Sequence, residues 1–231
     1  MRSAPARRGL ENFDSRKTAT SDLFDDSLRG RRLPACSAIT GLEETGVIQR
    51  AFFTMVDSID SYGDVPDYNA RIGFGGGCHW CTEAVFASLS GVHRVQQGFI
   101  CSHPPNDQYS EAVLVDFAER HIPVEILVEI HLRTHASTAA HSMRDKYRSA
   151  IYVKDRVMEN RCCAAIKTLQ NQFEKPLLTQ VLRLAGFTLS ADRYRKYYES
   201  NPDKPFCATY IEPKLELLER DFRSYINPRK Q

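Results

Sequence analysis

From Ala70 onward the apolar residues switch repeatedly between a strand-like and a helix-like period, and this alternation limits the chain to a mixed sheet-and-helix fold. A short strand at Ala70-Arg71-Ile72-Gly73-Phe74 runs into three glycines, and a helix is expected from about His79 to Ser90. Strands follow at Val92 to Ile100 and at Glu111 to Phe117, the second alternating apolar and polar residues as a half-buried strand does. A helix starts near Pro123, with Val124, Leu127, Val128, Ile130 and Leu132 as its apolar face, and Tyr147 to Val153 reads as the next strand. The order is β-α-β-β-α-β, so the expected class is α/β (α+β), a two-layer ferredoxin-like sandwich. Beyond it the pattern predicts a helix over about Asp155 to Phe173, a strand at Leu178 to Leu184, and a helix near Ala191 to Glu199. A Pro-bounded loop holding Cys207 follows, then an amphipathic piece from Pro213 to Tyr225, giving a C-terminal extension wrapped over the core.

The first 65 residues carry scattered Arg, Asp, Ser and Gly with only short apolar clusters, and read as a poorly ordered extension to a domain over residues 66–231. Glu11, Asp14, Asp22, Asp25 and Asp26 argue against an organelle transit peptide there. The 31 Lys and Arg nearly balance the 29 Asp and Glu, without a basic stripe, so no nucleic-acid partner is expected. No apolar run is long enough for a bilayer, so no membrane association is expected either. Seven cysteines, an odd number at irregular spacing with no secretory leader before them, predict a reduced, cytoplasmic protein. Monomer is the default expectation.

The chemistry concentrates at Gly75-Gly76-Gly77-Cys78-His79-Trp80-Cys81-Thr82-Glu83, which sets a thiol where a glycine turn meets a helix start. Backbone N–H groups and the helix dipole at such a junction favour a thiolate, and Trp80 offers an apolar wall beside it. Cys78 and Cys81 also form a C-x-x-C pair, compatible with a redox couple or half of a zinc site, for which His131, His135 and His141 are candidate partners. Structural zinc sites place paired ligands on knuckles rather than at a helix start, which weighs against metal. A thioredoxin-like oxidoreductase fits the helix-start spacing, but the glycine triplet and the lack of a Pro-bearing strand opposite the site do not suit it.

The stretch Gly75 to Phe86, GGGCHWCTEAVF, is similar to the signature of the peptide methionine sulfoxide reductase A family. Ser110-Glu111-Ala112-Val113 resembles the segment carrying that family's acid, Glu129-Ile130-His131 its helix end, and Lys146 to Ile151 its Q-Y-R-S-A-I strand. Tyr194 to Cys207 resembles the tail that brings a recycling thiol, so the likeness spans about Ala70 to Tyr210. It implies that Cys78 attacks the sulfur of a methionine sulfoxide, in a peptide or free, without a cofactor or metal. Glu111 would supply a proton to the leaving oxygen, and burial on an inner strand would keep its carboxyl protonated. Glu83, the competing acid, reads as a solvated helix residue.

Trp80 and the neighbouring His79 would bound the substrate's methyl group, and Tyr147 would bond the sulfoxide oxygen. The sulfenic acid left on Cys78 would be condensed to a disulfide by Cys207, with Cys81, expected to point away along the helix, and Cys101 as alternatives. Cys162 and Cys163 read as inert, and Cys36 lies in the extension. A thioredoxin-like dithiol would restore the thiols.

Three departures from the family surround the same pocket. His79 stands where Phe is usual, the segment between Phe99 and Glu111 is short and leaves Tyr109 without a clear counterpart, and Ser142 replaces an acid that Asp145 could substitute. A weakened relative that binds oxidised methionine or a metal as a sensor is the alternative. Turnover with a disulfide left behind separates the enzyme from it.

Overall fold

The computed structural model describes residues 69–228; the extension expected over residues 1–65, Cys36 included, lies outside them. Six strands form one sheet in the order β5-β4-β1-β3-β2-β6. They are β1 (Ala70–Gly75), β2 (Val92–Cys101), β3 (Ser110–Phe117), β4 (Ala150–Val153), β5 (Gln180–Arg183) and β6 (Gly186–Leu189). The inner four run β4-β1-β3-β2, each antiparallel to its neighbour. With helices α1 (His79–Ala87) and α2 (Val124–Thr134) in the connections, this is the expected split β-α-β-β-α-β unit. Helix α3 (Arg156–Leu169) leads into β5, which extends the sheet parallel to β4, while β6 closes the other edge antiparallel to β2.

One layer of helices covers one face of the sheet. Ile72 and Phe74 of β1, Val113, Val115 and Phe117 of β3, Phe86 of α1 and Leu127 and Ile130 of α2 share a core there. Phe74 and Phe86 stack at 4.3 Å, and truncating either to Ala would cost about 3–5 kcal/mol. Asp155 caps α3 by accepting the Met158 N–H at 2.8 Å, so the sequence signal for that start holds.

Strand β3 differs from its half-buried expectation, since all eight of its residues are buried. Its second face is covered by a smaller cluster of Ile100, Leu114 and Tyr152 with Leu182, Leu184 and Phe187 packed on it. Asp116 survives on the buried strand because Arg71 and Arg94 both bond its carboxylate, Arg94 Nε at 2.8 Å.

The tail departs most from expectation. Strand β6 lies between the strand expected to end at Leu184 and the helix expected from about Ala191, where no element was expected, and that helix is a 3-10 turn at Asp192–Tyr194 followed by the single turn α4 (Tyr197–Ser200). Between them Lys196 adopts φ +54°, which interrupts any continuous helix. Helix α5 (Glu212–Asp221) then inserts Leu217 and Leu218 into the main core, so the C-terminal segment does wrap over the domain.

Candidate active site

The glycine turn is shaped by what lies beneath it. A side chain at Gly75 would meet the Arg148 carbonyl at 2.9 Å, and one at Gly76 would collide with the His135 ring, whereas Gly77 faces open space. His135, the extended residue just after α2, stacks on His131 in the last turn of that helix with centroids 4.1 Å apart. Their nitrogens are used locally: His131 Nε2 donates to the Gly75 carbonyl at 3.0 Å, and His135 bonds the His131 carbonyl and Ser149 Oγ, the latter at 2.8 Å. Burial holds both imidazoles neutral, His135 at about 3 and His131 well below its usual value, with each further opposed by nearby positive charge. Among the described residues no group of three His, Cys, Asp or Glu is arranged to hold a metal. His141 stands apart, its Nδ1 accepting the Met143 N–H at 3.2 Å.

Cys78 occupies the position just before α1, half-buried, and its side chain caps no backbone group. The first free N–H groups of the helix go elsewhere. The His79 N–H donates to Glu111 Oε2 at 3.4 Å, and the Trp80 N–H, without closing a cap, pulls the Cys78 pKa down. Glu111 sits on β3 with 2% exposure, so strand and helix deliver a carboxyl and a thiol to one place. Lys146 Nζ stands 3.5 Å from Glu111 Oε1, a cation the sequence reading left out.

The thiol electrostatics correct the expectation of a simple helix-start thiolate. Cys81 does not point away: its thiol and that of Cys78 are hydrogen-bonded to each other. That bond, then burial, then the charges of Cys81 and Glu111 push Cys78 well above its usual range and outweigh the Trp80 N–H. The same bond and the Lys214 ammonium pull Cys81 down against burial. The two sulfurs therefore titrate as a coupled pair, with Cys81 losing its proton before Cys78.

His79 is buried, and its ring centroid lies 6.3 Å from that of Trp80. Its Nδ1 donates to the Gly98 carbonyl at 3.2 Å, its Nε2 lies 3.1 Å from Gln97 Nε2 and 3.8 Å from Glu111 Oε2, and Phe99 packs edge-on against it. It packs between the acid and the indole. Tyr147 precedes β4 instead of lying within it, and Lys146 Nζ is 5.0 Å from its ring centroid. Burial and the charges of Glu111, Cys78 and Cys81 keep its hydroxyl protonated, which places the phenol in the same electrostatic neighbourhood. Ser142 and Asp145 are both exposed.

The tail supplies the remaining wall. Trp80 stacks face to face on Tyr197 at 4.1 Å and meets Phe206 edge-on at 5.6 Å, while its Nε1–H donates to the Tyr194 carbonyl at 2.8 Å. Cys207 follows Phe206, fully buried, with its thiol donating to the Asn201 carbonyl at 3.1 Å. Burial raises its pKa, and the charge of Cys81 adds to that. Cys78, Cys81 and Cys207 belong to one apolar cluster with Tyr197, Tyr198 and Phe206. Cys101 is buried in β2 and disulfide-bonded, which corrects its reading as an alternative resolving thiol and the expectation of a wholly reduced chain; Cys162 is buried in α3, and Cys163 is exposed.

Glu83 overturns its sequence reading as a solvated residue. Its side chain is buried and its Oε2 accepts the Lys196 N–H at 2.9 Å. The available signal was its spacing, three residues after Trp80 and so on the same helix face.

Comparison with known proteins gives a consistent result. The family model described as peptide methionine sulfoxide reductase matches residues 70–225. The peptide methionine sulfoxide reductase MsrA of Trichodesmium erythraeum is 30% identical over 169 residues, covering 66% of this chain and 96% of the relative. The enzyme of the same name from Acinetobacter baumannii strain AYE is 31% identical over 164 residues, covering 65% of this chain and 94% of the relative. In structure, the chain is similar to reduced Mxr1 from Saccharomyces cerevisiae, with a TM-score of 0.54 at 19% identity over 63% of this chain and 92% of that one. It is also similar to methionine sulfoxide reductase A of Corynebacterium diphtheriae, with a TM-score of 0.51 at 22% identity over 61% and 77% of the two chains. The thiol, the acid and the indole lie within the matched span, and the chain belongs to the peptide methionine sulfoxide reductase A family.

Proposed function

We propose that residues 66–231 form one catalytic domain that reduces methionine S-sulfoxide, free or in proteins, to methionine with electrons from its own thiols. The observation that carries the roles assigned here is the 3.4 Å bond from the His79 N–H to Glu111 Oε2, which ties a carboxyl to the residue next to Cys78. A sulfoxide oxygen leaves only when protonated, so a thiol nucleophile needs such an acid beside it.

In the first step Cys78 sulfur bonds the sulfoxide sulfur, and its proton passes to Cys81 across their shared hydrogen bond. Glu111 protonates the oxygen, and Tyr147, still a donor at neutral pH, steadies it. Trp80 receives the methyl group. Collapse of the adduct gives methionine and a sulfenic acid on Cys78, so the substrate sulfur gains the two electrons that the cysteine sulfur loses.

Cys81, in contact with Cys78, then attacks the sulfenic sulfur and releases water, forming a Cys78–Cys81 disulfide. Exchange by Cys207 onto the Cys81 sulfur frees Cys78 and moves the disulfide into the tail. A thioredoxin-like dithiol protein supplies the final two electrons. Among the described residues no helix is long and apolar enough to cross a membrane, and a reducing compartment such as the cytoplasm suits the cycle.

The test is reduction of the separated sulfoxide epimers with dithiothreitol by the wild type and Cys78→Ser. Turnover of the S epimer alone, lost in the variant, is expected. Equal activity in Cys78→Ser overturns the assignment.

A further inference from the structure

A strap of residues 194–207 closes one side of the site, and very few bonds hold it in place. Contacts from α1 include the Trp80 Nε1–H to the Tyr194 carbonyl, the Trp80 ring stacked on Tyr197 and edge-on to Phe206, and the Glu83 carboxylate on the backbone N–H groups of Lys196 and Tyr197. Phe206 completes the corner, meeting Tyr197 edge-on at 5.7 Å, and Cys207 comes directly after it.

The backbone at the centre of this strap is not in a restful conformation. Lys196, at φ +54°, is the one residue other than glycine with positive φ among the described residues. An L residue leaves that region unless something holds it there. What holds it is Glu83, whose Oε2 accepts the Lys196 N–H at 2.9 Å from a buried position. The left-handed residue turns the chain so that Tyr197 meets Trp80 at an interplanar angle of 7°. Burial raises the pKa of Glu83 and the two backbone N–H groups lower it, as for a carboxylate committed to an internal bond.

We propose that Glu83 is a positioning residue for the resolving half of the reaction: by pinning the left-handed turn at Lys196 it sets the strap so that Cys207 lies within reach of the Cys78–Cys81 pair. It touches neither substrate nor the reacting sulfurs. Without the carboxylate, Lys196 relaxes toward ordinary backbone angles, Tyr197 leaves Trp80, and the strap no longer presents Cys207 to the disulfide. Attack on the sulfoxide uses groups carried on β3, α1 and the loop before β4, so it proceeds without the pin. The inference rests on the proposed reductase cycle.

The experiment is a single turnover of the fully reduced full chain with methionine S-sulfoxide and no reductant. Samples are quenched over time, alkylated, and assayed for released methionine and for the disulfide-linked peptide containing Cys207. In Glu83→Ala, methionine release at saturating substrate stays within about threefold of wild type while the Cys207 disulfide forms about tenfold more slowly. Glu83→Gln keeps an acceptor oxygen and should close within about threefold of wild type.

Lys196→Pro reaches the same turn from the tail without altering α1. It removes the N–H and forbids positive φ, so it should slow Cys207 closure as Glu83→Ala does, even if the latter variant fails to fold. Combining Glu83→Ala with Lys196→Gly should restore closure in part, because glycine adopts the left-handed angles without a clamp. Wild-type closure rates in Glu83→Ala or in Lys196→Pro overturn the proposal. Absence of methionine release by the wild type would instead overturn the reductase reading.

Discussion

The two sides of the site are made differently. Glu111 stands near the start of β3 and Cys78 three residues beyond the end of β1, and these two strands pair over six residues with core side chains packed on their helix-covered face. Trp80's other wall, Tyr197 and Phe206, comes from a strap with one turn of helix, tied to α1 by a few side-chain bonds. A sheet fixes positions through many mutually supporting contacts, while a strap fixes them through one or two. The chemical step therefore draws on the rigid side, and the return of the thiols draws on the side that can move.

The largest effect expected from this contrast is on the rigid side. Glu111→Gln keeps the shape and an acceptor for the His79 N–H but delivers no proton, so kcat should fall by about 10²–10⁴-fold with thermal stability little changed. Equal losses in activity and melting temperature would instead make Glu111 a support for the helix start. The next largest concerns the turn beneath the nucleophile. Gly76→Ala forces a methyl group into the His135 ring and should cost about 1–3 kcal/mol in denaturant unfolding, whereas Gly77→Ala points into open space and should stay within about 0.5 kcal/mol. Equal costs at both positions would remove the claim that the turn rests on the histidine pair.

The smallest is a response to acid, in which the two sides carry opposite signs. His135 is held at about 3 in the folded protein. Below its unfolded value of about 6.5 the unfolded chain binds a proton that the native site refuses, so stability falls with pH toward 3, by about 1.4 kcal/mol per unit at the steepest. His131, also lowered, adds to the fall. Glu83 is raised, so on acidification its folded form takes a proton before the unfolded one and contributes in the other direction. Melting curves of wild type and His135→Gln between pH 7 and 5 check this, and parallel curves would refute the contribution of His135.

The same division decided what could be read in the sequence. The strands and helices from Ala70 to Val153 were legible because each carries a strong apolar period that shows in its own residues, whatever the distance to its partner in the sheet. Cys78, Trp80 and Glu111 came with those elements. The strap offered no such period: Tyr194, Tyr197 and Phe206 are spaced to meet Trp80, more than a hundred residues earlier, and nothing local announces that. Glu83 was misjudged for the same reason, because a carboxylate on a short helix reads as solvated until the segment that covers it is known. The direction of Cys81 was missed because a tilt of the first helical turn decides whether sulfurs three residues apart meet. The partners of His79, the Gly98 carbonyl and the Gln97 side chain, sit on β2 and were not announced by its neighbours in sequence.

The complete enclosure of Cys207 has a kinetic consequence. An outside donor of electrons meets no exposed sulfur there, so each cycle must wait for a stretch of polymer to breathe before it can be reset. Small and bulky reductants alike would queue at that same gate. Raising their concentration should bring both to one ceiling, the opening frequency of the tail, which warming lifts far more steeply than it lifts simple diffusion.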